Sequence, residues 1–209
     1  MVLETPENKK SEFKDFYINY KKSFISLPII LIIIASIYLF FDFKSKEKKT
    51  EISGNFIEAK VLLTQSNNIK SLEILKNIIF DKDKTYSPLS LFLIIDQGLE
   101  KDNNAILNYF DEVLSISNLE SEDLNLLRLK KAIFISNTSK EQDMLDLLNP
   151  VINSESIWKT QSLKFLGDYY FSLKQYKKAE IYYSTLLKLN DESIDLNEIK
   201  RKIKLIQNG

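Results

Sequence analysis

The sequence predicts an all-α protein: one apolar N-terminal helix followed by an array of antiparallel helical hairpins. Three observations carry this. Gly and Pro number only 4 each in 209 residues, too few for the turns of an all-β chain of this length. Between Lys22 and Asp42 lie 19 consecutive uncharged residues, most of them Ile, Leu or Phe. Beyond them, stretches with helical apolar periodicity alternate with short polar breaks.

The apolar run, "SLPIILIIIASIYLFF" at its centre, has the length of a single membrane span, for which roughly 20 apolar residues are needed. A secretory signal would carry a shorter apolar region and small residues at a cleavage site. Here the exit reads "YLFFDFKSKEKK", bulky and then charged. A helix at the edge of a soluble core would show a polar stripe, and this one has none. Pro28 falls near its start, where a missing N–H is tolerated. The expectation is a permanent anchor. Its flanks do not orient it: Lys9, Lys10, Lys14, Lys21 and Lys22 on one side face Lys44, Lys46, Lys48 and Lys49 on the other, and long domains translocate largely regardless of charge. The chain divides on this reading into a segment 1–22, a transmembrane helix 23–43, a lysine-rich linker 44–52 and a helical-repeat domain 53–209.

Within that last part, polar breaks at "TQSNN", "DKDKTYS", "EKDNN", "SISNLES", "SNTSK", "NSES" and "SLKQ" separate helical segments. Short breaks between helices of this length make neighbours antiparallel. Leu124–Ser136 and Glu141–Ile152 form one such pair, with Pro150 expected to close its second helix. Asp195–Gln207 reads as an amphipathic cap for an open stack.

Composition removes much chemistry. Lys plus Arg and Asp plus Glu both number 29, and His and Cys are absent. No net field argues for nucleic acid, and the commonest general base and the usual nitrogen and thiolate metal ligands are missing. Asp81–Lys84 begins like a calcium loop, but Tyr86 and Phe92 stand where Gly and Glu are required, so it reads as a helix-ending turn. Asp111 with Glu112, and Glu122 with Asp123, are adjacent carboxylates that diverge by about 100° on a helix. The four glycines are unclustered, which leaves no phosphate loop or nucleophile elbow. No catalytic residue, cofactor, metal or small-molecule substrate is expected. Acids dominate from Asp96 to Asp123 and bases from Lys174 to Lys204, a polarity suited to steering partners.

Thr160–Ser193, "TQSLKFLGDYYFSLKQYKKAEIYYSTLLKLNDES", resembles a tetratricopeptide repeat. Leu163, Gly167, Tyr170, Ala179, Tyr183 and Leu186 stand at or beside its packing positions: the small residues where two helices approach closely, the large ones between them. Lys174 departs from the pattern, where Gly is usual. Earlier units are eroded, with Ser71, Leu75 and Ile78, and then Ala105 and Tyr109, at corresponding spacings, Ser71 and Ala105 being one 34-residue period apart. On the repeat pattern, the concave face of the last unit is built by Gln161, Lys164, Asp168, Phe171 and Ser172. One apolar side chain among polar ones suits an extended peptide or a partner helix.

The order of short head, single span, lysine-rich junction, "FIEAKVLL", eroded repeats, "SIWKTQSLKFLGDYYF" and a final good repeat resembles the YfgM-like family of ancillary translocon subunits. The resemblance implies a single-pass protein of the bacterial inner membrane, with a cytoplasmic N terminus and a periplasmic repeat domain. It implies association with the SecYEG channel and a periplasmic chaperone in protein export. A scaffold for cell-envelope assembly or cell division would share the same signature.

Overall fold

The computed structural model describes residues 6–138, 140–189, 191 and 193–208, with side chains from Leu31 onward. Among the described residues all regular structure is helical: α1 (Pro6–Thr64), α2 (Asn68–Phe80), α3 (Tyr86–Asp96), α4 (Asn103–Leu114), α5 (Ser121–Ile135), α6 (Glu141–Ile152), α7 (Lys159–Ser172), α8 (Tyr176–Leu189) and α9 (Leu196–Asn208). The chain falls into two units, Met1–Gly54 and Asn55–Gly209.

The first unit belongs to α1. From Leu31 to Phe41 every side chain is exposed, Leu31 59%, Ile34 57% and Phe41 67% among them. Ser36 Oγ donates to the carbonyl of Ile32 at 2.8 Å, so the helix itself satisfies that hydroxyl. Residues 23–30 of the expected 23–43 span lie outside the described side chains. Among the described residues no helix is long and apolar enough to cross a membrane.

The second unit is built from helices joined by short turns, and the turns explain how a chain so poor in glycine can fold this way. Helix ends commonly place a left-handed residue just past the cap, usually Gly. Here Gly98 (φ 57°) serves after α3, while Ser66 (φ 60°), Lys82 (φ 56°) and Lys174 (φ 57°) serve after α1, α2 and α7, and Asn118 (φ 59°) turns the chain between α4 and α5. After α7 the Gln175 N–H donates to Tyr170 O at 2.9 Å and the Lys174 N–H to Phe171 O at 3.0 Å. These are the paired reverse bonds that satisfy the last carbonyls of a helix. Side-chain caps start others: Asp102 Oδ1 accepts from Asn104 N at 2.9 Å ahead of α4. At Asp81–Lys84 α2 does end, and Asp83 Oδ1 takes the N–H groups of Thr85 and Tyr86 at 2.9 and 2.7 Å. Helix α6 ends at Ile152, as expected, two residues past Pro150. In the last turn a proline costs one ladder bond, and the helix tolerates it.

Two apolar clusters form the interior. Ala59, Leu75, Ile79, Leu91, Ile94, Phe110, Val113 and Leu127 are wholly buried in the first. Ala132, Leu148, Leu166, Ala179, Tyr183, Leu186 and Ile199 are wholly buried in the second. Helix α5 supplies residues to both, and Phe134 packs against both. Small residues mark close helix approaches. Ser71, fully buried, donates its hydroxyl to Ala59 O at 2.9 Å, and Ser87 donates to Ile78 O at 2.7 Å. At Gly167 a Cβ would sit 2.6 Å from Tyr183 Cδ1 and nearer still to Cε1, so the α7–α8 contact admits hydrogen alone.

Helix α9 sits one 34-residue period beyond α7. Displaced by that period, the half-buried Phe165 and Tyr169 of α7 become Ile199 and Ile203, which pack into the same cluster. Leu163, Leu166, Gly167 and Tyr170, which receive α8, become Asn197, Lys200, Arg201 and Lys204, all exposed. So α9 presents an apolar face to the stack and a polar face where a further helix would dock, which is how an open helical array terminates.

Candidate functional site

The residues expected on the partner face of the last hairpin lie along α7. Asp168 is their centre. Its Oδ1 accepts from Tyr183 Oη at 2.7 Å and Lys202 Nζ at 2.6 Å, and its Oδ2 from Lys164 Nζ at 2.7 Å. Glu198 completes a ring, at 2.7 Å from Lys202 and 3.4 Å from Lys164. Burial pushes the Asp168 carboxyl upward, but hydrogen bonds from Lys164, Lys202 and Tyr183 outweigh it and hold it below the usual value. Burial likewise opposes the charge on Lys202, and Asp168 with Glu198 prevail, raising it. Tyr183 is kept protonated by burial and by the Asp168 carboxylate that accepts its hydrogen bond.

Phe171 is half-buried, its ring 5.6 Å from Tyr176 and 6.4 Å from Tyr183. Ser172 is exposed and turns its hydroxyl back to Tyr169 O at 2.7 Å. Gln161 is half-buried, and its Oε1 has no hydrogen-bond partner among the described residues. Lys164 and Asp168 are thus joined in one network, Phe171 packs beside it through Tyr183, and Gln161 and Ser172 stand apart from it. The two charged side chains are already engaged by α9. Leu163, Tyr170, Ala179, Tyr183 and Leu186 lie together in the second cluster, with Gly167 against the Tyr183 ring.

Two further polar junctions tie the hairpins together. Glu141 at the start of α6 accepts from Tyr170 Oη and Lys178 Nζ, both at 2.7 Å. Lys178 also lies 4.9 Å from the centre of the Tyr170 ring, which stacks on Tyr182 at 5.6 Å. The Lys178 and Tyr170 hydrogen bonds lower the Glu141 pKa. Glu122 of α5 accepts from Ser156 Oγ at 2.7 Å and Ile157 N at 3.2 Å, and Ser156 Oγ accepts from Trp158 N at 3.1 Å. That anchors the "SIWK" segment where α7 begins.

Glu141, Glu198 and Lys202 were not singled out from sequence. The signal for two of them is the repeat period: Lys164 to Glu198 and Asp168 to Lys202 are each 34 residues apart, so equivalent positions of successive helices face one another with opposite charge. Among the described residues no cluster of carboxylates is arranged to hold a metal ion. The arrangement is one of helices, ion pairs and aromatic contacts presenting a surface.

No family model matches the chain, and no solved structure matches it. The chain is similar to a curated protein, the ancillary SecYEG translocon subunit of Buchnera aphidicola subsp. Schizaphis graminum (strain Sg), at 27% identity over 194 residues, covering 85% of this chain and 96% of that protein. The resemblance to the YfgM-like family of ancillary translocon subunits, read from the apolar run, the "SIWKTQ" segment and the final hairpin, therefore extends over most of the chain.

Proposed function

We propose that this protein is an ancillary, non-catalytic subunit of the SecYEG translocon. It would be held in the inner membrane by residues 23–43 and bind polypeptide partners with its helical domain, residues 53–209. The observation that carries the reading is the similarity to the translocon subunit over 85% of the chain and 96% of the relative. Supporting it are the uninterrupted apolar run within α1 and the 34-residue register that relates α7 to α9, as in a tetratricopeptide-like array. On this reading the N terminus is cytoplasmic and the helical domain periplasmic, working with a periplasmic chaperone on exported chains. Gln161, Lys164, Asp168, Phe171 and Ser172 form the C-terminal part of the partner face.

A photoreactive residue at Ser172, which is exposed, tests this in intact membranes. The proposal expects crosslinks to channel subunits, a periplasmic chaperone or an exported chain. Crosslinks confined to cytosolic proteins would refute it.

A further inference from the structure

The 34-residue ladder that joins α7 to α9 continues toward the N terminus, where it is left open. Lys164 of α7 is preceded by Lys130 of α5 and by Asp96 of α3, each one period earlier. At the C-terminal step the opposite charges meet: Lys164 reaches Glu198 at 3.4 Å and Asp168 reaches Lys202 at 2.6 Å. Asp96 and Lys130 have the same spacing and opposite charge, yet no ion pair joins them to each other or to any other described residue. A cavity of about 170 Å³ lies between them. Phe92 and Ile95 of α3 and Ile133 and Phe134 of α5 form its walls, and fully buried Phe110 of α4 its floor. Lys130 Nζ stands 5.8 Å from the centre of the Phe92 ring, at the mouth.

The cavity lies at the edge of the first apolar cluster, to which Phe92, Ile95 and Phe110 belong, beside Phe134, the side chain that packs against both clusters. An aromatic-lined volume of this order, about that of the ~150 Å³ cavity that takes up a benzene ring, is wide enough for one large apolar side chain. Aliphatic and aromatic walls with a few placed charges are the usual make-up of a recognition pocket.

We propose that this cavity is a polypeptide-recognition pocket. It takes one Phe- or Leu-sized side chain of an extended partner segment that crosses from α3 to α5, with a basic residue of that segment meeting Asp96 and an acidic one meeting Lys130. The charge pattern of the rim selects the occupant: the partner supplies to Asp96 and Lys130 the counter-charges that Glu198 and Lys202 supply to Lys164 and Asp168. The inference rests on the reading that the helical domain binds polypeptides, and it names where and what sequence pattern.

The test uses the full-length chain in phospholipid nanodiscs and fluorescently labelled synthetic peptides with one central Phe between a Lys and a Glu, in both orders. Anisotropy should show saturable binding. Ile133→Trp, placed at the half-exposed wall, should fill the pocket and abolish it. Lys130→Glu should weaken binding about tenfold, and a peptide with its Glu replaced by Lys should recover most of that loss. Circular dichroism melting of each variant separates these effects from unfolding. Absence of binding to the wild-type chain, binding unaffected by Ile133→Trp, or a self-associated form that Ile133→Trp disperses would each overturn the proposal. Loss of this pocket with crosslinking at Ser172 to the translocon intact would move the polypeptide site elsewhere on the chain. Loss of both would remove the broader reading as well.

Discussion

Single residues decide how closely these helices approach. Gly167 admits no side chain because the Tyr183 ring occupies the space, so Gly167→Ala should cost about 1–3 kcal/mol as an overpacking change, read from the urea midpoint. Gly54 is the counter-case: nothing lies within 4 Å of a Cβ there, and Gly54→Ala should stabilise α1 by about 0.5–1 kcal/mol. Lys174 is held at φ 57°, the left-handed conformation that disfavours a Cβ by roughly 1–2 kcal/mol. Lys174→Gly should relieve part of that and raise the melting temperature. A drop would show that the lysine's own contacts outweigh its strain. The turn itself was legible, because "SLKQ" is polar and follows a helical run. That a lysine could hold a glycine's conformation was not, since the reverse bonds of Gln175 and Lys174 to Tyr170 and Phe171 appear only in the folded chain.

Elements follow from pattern where the pattern is local. Several polar breaks read from sequence coincide with helix ends because they supply a cap or a left-handed residue, as Asp102 does for α4 and Lys174 does after α7. The engagement of Lys164 and Asp168 by α9 was not legible as a contact, because it joins residues distant in the chain and depends on how α9 lies. Ile199 is the wholly buried anchor of α9. Ile199→Ala should cost about 2–5 kcal/mol if the cluster does not collapse around the gap, and hydrogen exchange should accelerate first in α9. The ring of charges and the separate Glu141 junction share a pH signature. Asp168, Glu198 and Glu141 all titrate below their ordinary values of 3.8, 4.5 and 4.5. Their stabilisation is therefore complete above those values and is lost as pH falls through the lowered folded ones. Lys76, with the backbone N–H groups of Asp102 and Lys101, lowers Glu100 to about 2, so its share persists to the most acidic end. Melting temperature should fall progressively below pH 4.5, and Asp168→Asn should flatten part of that fall. An unchanged profile would mean the ring contributes nothing.

At the scale of the whole molecule, the chain joins a long N-terminal helix carrying an apolar run to helices that end in a polar-faced cap, and it resembles a translocon subunit over most of its length. The scarcity of Gly and Pro made the helical character readable early. The orientation and the partner were not readable from physical pattern, since lysines flank both ends of the apolar run and a helical stack presents surface rather than a motif. Co-purification reads out the association with the channel. Tagged full-length chain, solubilised from membranes in a mild detergent, should bring down the SecYEG channel in near-stoichiometric amount. A chain ending at residue 54 should recover far less. Recovery of the full chain in the soluble fraction, or from membranes without the channel, would rule that association out.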